Sequence, residues 1–351
     1  QSPEYRTLVK RLTEVSFSER PSDMIGKTVA GILYGEVSPY SATRLERFAA
    51  CAFAHFLQYG LRLKEREEYG LQAVDMGNVM HMALEKFAAE VRKEGLDWAD
   101  LTEEERNRII DDCLDQVSAD YGNTVLKSSA RNEYMIERTR RILRRTVWAL
   151  QEQLKHGEFR PEGFEVKFEG GRIDRVDIME EPEKNRVYVK VIDYKTGNTS
   201  FQLLNLYHGL QLQLVVYLNA ALEVTAKKYP QKTAVPAGIF YYHVDDPYAE
   251  GRAEMSEEEI GEEILQRLKL DGIVNSEEDV WRAMDTEMES ESHVIPVKLK
   301  KDGTISATSK TLSETAFSNV GAFATEKIKE LGNGMLGGNI AAEPYLLDSK
   351  S

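Results

Sequence analysis

The chain has 351 residues, 42% of them hydrophobic and 30% charged, with a formal net charge of -14 at pH 7. Such a composition describes a globular protein of one large domain or two ordinary ones, and no segment approaches the ~20 apolar residues of a membrane span. The acidic balance excludes a protein that coats nucleic-acid backbones over its whole surface, though not an enzyme that holds DNA locally through bound cations.

Residues 1–40 read as a lead-in segment punctuated by Pro21, Gly26, Gly31 and Gly35. No basic-then-apolar signal pattern opens the chain, and a first residue of Gln1 rather than Met points to a processed or excised fragment. The two cysteines, Cys51 and Cys113, make no disulfide framework, so a reducing, cytoplasmic setting is expected.

Ser41 is placed to cap a helix running on to Gly60, with Leu45, Phe48, Ala52, Phe56 and Tyr59 as one buried stripe. A second helix follows through "MGNVMHMALEKFAAEV", with Met80, Leu84, Phe87 and Val91 inward. Thr102 and Glu105 have the spacing of a capping box, and a long charged helix spans "NEYMIERTRRILRRTVWALQEQL". The period then changes from helical to two. "GFEVKFE", "RIDRVDIM" and "RVYVKVIDYK" alternate apolar and polar residues, with Gly170-Gly171 as a natural hairpin turn, so a three-stranded antiparallel meander is predicted. Next come a helix over "LLNLYHGLQLQLVVYLNAALEV" and a strand at "AGIFYYHV". Ser256 and Glu259 cap an acidic helical stretch over 255–291, "SHVIPVKL" reads as a last strand, and a final helix is expected to stop at Gly332 and Gly334.

The chemistry concentrates in the meander. Side chains on a strand alternate faces, so Val187, Val189 and Val191 share a face with Asp193 and Lys195. On the preceding strand Asp174 shares its face with Val176 and Ile178. Two carboxylates and a lysine then meet at one edge of the core. Buried like charges are costly unless paired, and a divalent cation with hard oxygen ligands, Mg²⁺ or Mn²⁺, would pair them. Such an ion polarises a phosphodiester and activates water, with Lys195 orienting that water or neutralising charge on phosphoryl oxygens. Asp-x-Lys on a strand also describes an ordinary surface ion pair; the acid on the neighbouring strand and Gly197 just after are what set this arrangement apart. Gln213 and Tyr217, four apart, project from one face of the following helix. His81 lies beside an apolar stripe, where histidines are usually structural, and becomes a metal-ligand candidate only if its helix packs over the strand edge.

"GNVMHMALEKF", "GGRIDRVD", "VIDYKTG" and "QLVVY", in this order, resemble the RecB-type branch of the PD-(D/E)xK nuclease superfamily. The flanks, from about Tyr40 to Tyr345, further resemble AddB-type nuclease domains. The resemblance implies an α/β, restriction-endonuclease-like core, a mixed central sheet flanked by helices, with a helical N-terminal part. It divides the chain into the lead-in over 1–40, the helical part over 41–160, the nuclease core over 161–345 with a helical insertion near 255–291, and a tail over 346–351. It implies His81, Asp174, Asp193 and the Tyr194 main-chain carbonyl as metal ligands, and Asp174, Asp193, Lys195, Gln213 and Tyr217 as the catalytic set. The implied activity is a Mg²⁺- or Mn²⁺-dependent exonuclease cutting single-stranded DNA from duplex ends during recombinational repair. The implied partners are that DNA and an AddA-like helicase–nuclease subunit. The chain has no "GxxxxGK[ST]" motif, so ATP use would fall to a partner.

The same resemblance implies a 4Fe–4S cluster, with one cysteine in the first helix and three near the C-terminus. Cys51 matches the first position, although Ala52 stands where the family usually has proline. The other three ligands are absent from this chain, so the cluster is expected only in the full-length protein, and truncation is the expected cause. Cys113 reads as a core thiol. Two other readings stay open: a standalone or CRISPR-associated RecB-like exonuclease, against which the flanks count, and a non-catalytic DNA-end-binding or scaffolding module, which the retained acids disfavour.

Overall fold

Ser41 does cap a helix: its hydroxyl accepts from the Arg44 N–H at 3.4 Å in the computed structural model, which describes residues 5–10, 13, 23–35, 41–64, 73–121, 129–250 and 255–346. Pro21 and the tail beyond 346 lie outside the described residues. The chain divides into two units, one formed by 1–66 with 326–351 and the other by 67–325.

The first unit holds α1 (Lys27–Tyr34), α2 (Ala42–Ala50) and α3 (Ala52–His55), the last continuing as a π-turn over Phe56–Gly60. The single helix expected up to Gly60 is broken at Cys51, whose backbone is extended at φ -168° and ψ 113°. That is the region a following proline would impose, and Ala52 keeps it. The cause lies far along the chain: the Ala50 carbonyl accepts from Tyr345 N–H at 2.8 Å, and Phe53 N–H donates to the Ala341 carbonyl at 3.1 Å. Backbone groups released by the break are therefore satisfied by the C-terminal segment. The same segment is joined to the N-terminal one by Ile25 N–H to Gly338 O at 2.9 Å and Ile340 N–H to Asp23 O at 2.7 Å.

His55 is fully buried in this unit, and burial, aided by the charges of Arg44 and Arg47, pushes its pKa down to about 4. A depressed folded-state pKa favours the neutral ring. Stability is thus complete above the unfolded value of about 6.5 and falls as pH drops from there toward 4. Acidifying from pH 7 to pH 5 is expected to cost roughly 2 kcal/mol. Urea midpoints at both pH values, wild type beside His55→Leu, check this; an equal drop in both would count against it.

In the second unit, α4 (Ala73–Lys93), α5 (Glu103–Asp120) and α6 (Ala130–Lys155) pack as a helical layer. The Thr102–Glu105 capping box forms, and Met80, Leu84, Phe87 and Val91 are buried as their spacing predicts. Six strands follow: β1 (Arg160–Phe168), β2 (Gly171–Glu181), β3 (Arg186–Lys195), β4 (Thr233–His243), β5 (Asp271–Asn275) and β6 (Thr311–Leu312). They lie side by side in chain order as a mixed sheet, with β3–β4 and β5–β6 parallel and the other pairs antiparallel. The β3–β4 crossover carries α7 (Leu203–Tyr207) and α8 (Gln213–Lys228). Tyr188, Ile192 and Tyr194 of β3 join the core of the helical layer, while α8 packs against β3 and β4. With both faces covered, β3 is buried from Val187 to Tyr194.

Four expectations are corrected. The helix predicted over 203–224 is two helices, because Gly209 takes φ 77° and ends the first. The acidic stretch at 255–291 holds α9 (Glu257–Arg267) and α10 (Glu278–Met284), but β5 between them is a strand of the sheet. "SHVIPVKL" forms only isolated bridges, Glu291 to Lys298 and Leu299 to Ile305, and the sheet ends at Thr311–Leu312 instead. The final helix, α11 (Glu314–Leu336), runs through Gly332 and Gly334. A side chain at Gly334 would come within 3.3 Å of the Phe48 ring, so that glycine serves a close approach and not a stop.

Candidate metal and phosphodiester site

Three acids line up across the first three strands. β1 and β2 pair Phe164 with Arg175 and Val166 with Ile173, so Glu165 sits opposite Asp174. β2 and β3 pair Val176 with Val191 and Arg175 with Ile192, and one step further along this register Asp174 meets Asp193. The helical layer supplies the fourth group. Gly77 of α4 approaches the end of β3 so closely that an added side chain would stand 3.2 Å from the Thr196 hydroxyl. One turn later His81 Nδ1 comes within 3.4 Å of Asp174 Oδ2, and its ring hydrogen-bonds the Tyr194 main chain. Ligand atoms of His81, Glu165 and Asp174 all lie within 4.8 Å of one another. Asp174 Oδ2 also accepts from the Tyr194 N–H at 2.8 Å.

Asp193, 2% exposed, is turned to the other side of this group. Its Oδ2 lies 2.6 Å from Lys195 Nζ. That ammonium also donates to Gln213 Oε1 at 2.8 Å and stands over the Tyr241 ring at 5.2 Å. Gln213 Nε2 in turn donates to the Tyr217 hydroxyl at 2.9 Å, the contact expected from residues four apart on α8.

Charge explains what the site lacks. Burial first, then the like charge of Asp193, holds the Asp174 carboxyl well above the usual range. Burial likewise raises Asp193 against the opposing pull of Lys195, and raises Glu165 against the pull of Arg172, with which it forms an ion pair. Burial and the charge of Lys195 lower the pKa of His81, keeping the imidazole neutral. Three carboxylates and a neutral imidazole, none easily ionised together, form a donor set that a hard divalent cation fits.

The predicted site residues thus fall into two groups that share one strand end: His81, Asp174 and Tyr194, and Asp193, Lys195, Gln213 and Tyr217. Glu165 is the member that sequence reasoning does not reach. Its signal is the hairpin: the loop is Glu169-Gly170, closed by the Phe168–Gly171 pair, with Gly170 at φ 106°. Setting the turn one residue later at Gly170-Gly171 slips the register and puts Glu165 away from Asp174. Cys51 is half-buried in the first unit, whereas Cys113 is buried in the second, its thiol pushed up to about 11 by burial. The described residues do not supply the four thiolates that an iron–sulfur cluster requires.

A family model described as the PD-(D/E)XK nuclease superfamily matches residues 39–346. The chain is similar to an ATP-dependent helicase/deoxyribonuclease subunit of Lachnoclostridium phytofermentans, 38% identical over 97% of this chain and 30% of that protein. It is similar to the protein of the same name from Alkaliphilus oremlandii, 38% identical over 94% of the chain and 30% of the relative. The one from Caldanaerobacter subterraneus subsp. tengcongensis is 39% identical over 89% and 28%. The chain therefore spans less than a third of the length of these curated relatives.

Proposed function

The chain belongs to the PD-(D/E)XK nuclease superfamily, and from that premise we propose that it is the metal-dependent exonuclease portion of an AddB-like helicase–nuclease subunit. Its substrate is single-stranded DNA made as duplex ends are unwound, and its partner an AddA-like helicase–nuclease subunit. Both follow from the names of the relatives and from the chemistry of the site. We further propose 161–345 as the nuclease core, with α4 of the preceding helical part lending it His81. Among the described residues no helix is long and apolar enough to cross a membrane.

The observation that carries this reading is the row Glu165–Asp174–Asp193 ending beside the Lys195–Gln213–Tyr217 chain. Glu165, Asp174, Asp193, His81 and the Tyr194 carbonyl would hold the ion. An imidazole among oxygen ligands favours Mn²⁺ over Mg²⁺ in affinity. When bound, the ion polarises the phosphodiester and makes a water acidic enough to attack it. Lys195 places a fixed positive charge beside Asp193, where it orients that water or balances charge on the phosphoryl oxygens. Gln213 and Tyr217 hold the ammonium in place.

The test is end-labelled single-stranded DNA with Mg²⁺, Mn²⁺ or EDTA. Progressive shortening with either metal and none in EDTA is the expected result. Undiminished cutting in EDTA would sink the metal mechanism; a chain that neither cuts nor takes up Mn²⁺ by calorimetry would favour the scaffolding reading. Glu165→Gln, which keeps shape and removes one charge, is expected to weaken Mn²⁺ binding about tenfold or more. An unchanged affinity would remove Glu165 from the ligand set.

A further inference from the structure

A second cluster of chemistry lies in the first unit, outside the nuclease site. A cleft of 870 Å³ is lined by Tyr34, Arg44, Arg47, Tyr59, Arg62 and Lys64 among others, four cations in a chain of net charge -14. Among the described residues, none of Arg47, Arg62 and Lys64 has a carboxylate within ion-pair distance.

Arg44 is held in place from three sides. Its guanidinium carbon stands 5.4 Å from the Tyr34 ring centroid and 5.1 Å from that of Tyr59. Its Nε donates at 3.3 Å to Nε2 of the buried His55, whose ring stacks on Tyr59 at 5.0 Å. That bond needs the neutral ring, with the proton on Nδ1. Fixing Nε and both faces of the plane leaves the orientation of the guanidinium set before any anion arrives.

Two further features are hard to explain by folding alone. Tyr34 is 6% exposed and lines the cleft, yet its hydroxyl is buried without a hydrogen-bond partner among the described residues. Such an orphaned donor costs about 1–3 kcal/mol unless something bonds to it. The cleft wall is also strained: Phe56–Gly60 forms a π-turn, and Arg62 takes φ 53°, a left-handed conformation disfavoured for a residue with a Cβ.

We propose that this cleft is a phosphate-binding site for single-stranded nucleic acid, a second hold on the strand whose cutting is proposed above, and in that respect it rests on the nuclease reading. Arg44 and the Tyr34 hydroxyl donate to one phosphodiester, while Arg47, Arg62 and Lys64 meet its neighbours. A duplex presents its phosphates on a convex surface, whereas a single strand can bend into a recess to reach Arg44.

The experiment is anisotropy of a labelled oligothymidylate with the whole chain in EDTA, so that nothing is cut, over a series of salt concentrations. Arg44→Ala is expected to weaken binding ten- to a hundredfold, the effect of losing a charge-assisted contact. Arg62→Gly is expected to weaken it while leaving thermal stability equal or higher, since glycine relieves the left-handed backbone. Each should make the slope of log affinity against log salt shallower by about 0.7, the value for one lost phosphate contact. Unchanged affinity and slope in both variants, with nuclease activity intact, would overturn this site and leave the nuclease reading standing. A wild-type chain that neither binds nor cuts the strand would sink both. Displacement by millimolar inorganic phosphate, or equal binding of a blunt duplex, would overturn the single-strand assignment.

Discussion

Replacing Lys195 by alanine is expected to slow strand cutting by about 10²–10³ while leaving Mn²⁺ binding as tight or tighter. The split follows from where the ammonium sits. Lys195 Nζ is 2.6 Å from Asp193 Oδ2 and 2.8 Å from Gln213 Oε1, so its charge is positioned by neighbours and need not be found during the reaction. Its removal takes away charge at the reacting phosphate, yet it also removes a cation that competes with the metal for Asp193. Asp193→Asn is expected to lose both properties, because the carboxylate is at once a ligand and the partner of Lys195. Lys195→Arg should not restore the rate, since a planar fork cannot occupy the place of a point charge between those two oxygens. Single-turnover cleavage and calorimetry on the same three proteins separate the cases. A Lys195→Ala protein that cuts within a few-fold of wild type would remove the lysine from the mechanism.

The second large effect lies on the opposite face of the same strands. Asp177 is fully buried and serves two cations: Arg175 Nε at 2.6 Å from Oδ1, and Lys190 Nζ at 2.9 Å from Oδ2. Around them stand Trp98, Phe164 and Phe159, whose rings face the two cations at 5.2, 5.8 and 5.1 Å. The neighbouring cations hold the Asp177 carboxyl below the usual range despite its burial. Asp177→Ala strands an arginine that cannot give up its proton and is expected to cost about 3–5 kcal/mol. Lys190→Met should behave in the opposite manner. It leaves one cation with one anion and replaces a buried ammonium, whose pKa burial has already lowered, by an apolar chain of similar length. That variant is expected to stay within about 1 kcal/mol of wild type. Urea unfolding of both decides it: an Asp177→Ala protein losing under about 1 kcal/mol would show the triad to be dispensable.

Much of this site is legible in the sequence because a strand buried on both faces leaves few interpretations for its charges. Asp193 and Lys195 end an all-valine face, and the acid on the strand before has one place to go. Gln213 and Tyr217 are readable from helical spacing alone. The Arg175–Asp177–Lys190 triad is not, because charges alternating with apolar residues look the same whether the second face meets water or a layer of helices. Glu165 turns on a one-residue choice of hairpin loop. β5 carries Asp271, Gly272 and Asn275 in five residues, a poor strand by propensity, and is held by pairing with β4. The break at Cys51 is set by residues 341–345, beyond the reach of any local pattern.

That last arrangement bears on how the protein is made. The 67–325 unit is one uninterrupted stretch and has all its strands and helices available once its own residues have left the ribosome. The unit built on 1–66 does not. Its kink, its buried histidine and the cleft beside it take backbone partners from residues 338–345, so helices made early wait for the whole intervening unit to be synthesised before they can close. During that interval the apolar stripe of α2 is the surface most in need of a chaperone, and slowing translation between residues 66 and 338 should lengthen the exposure.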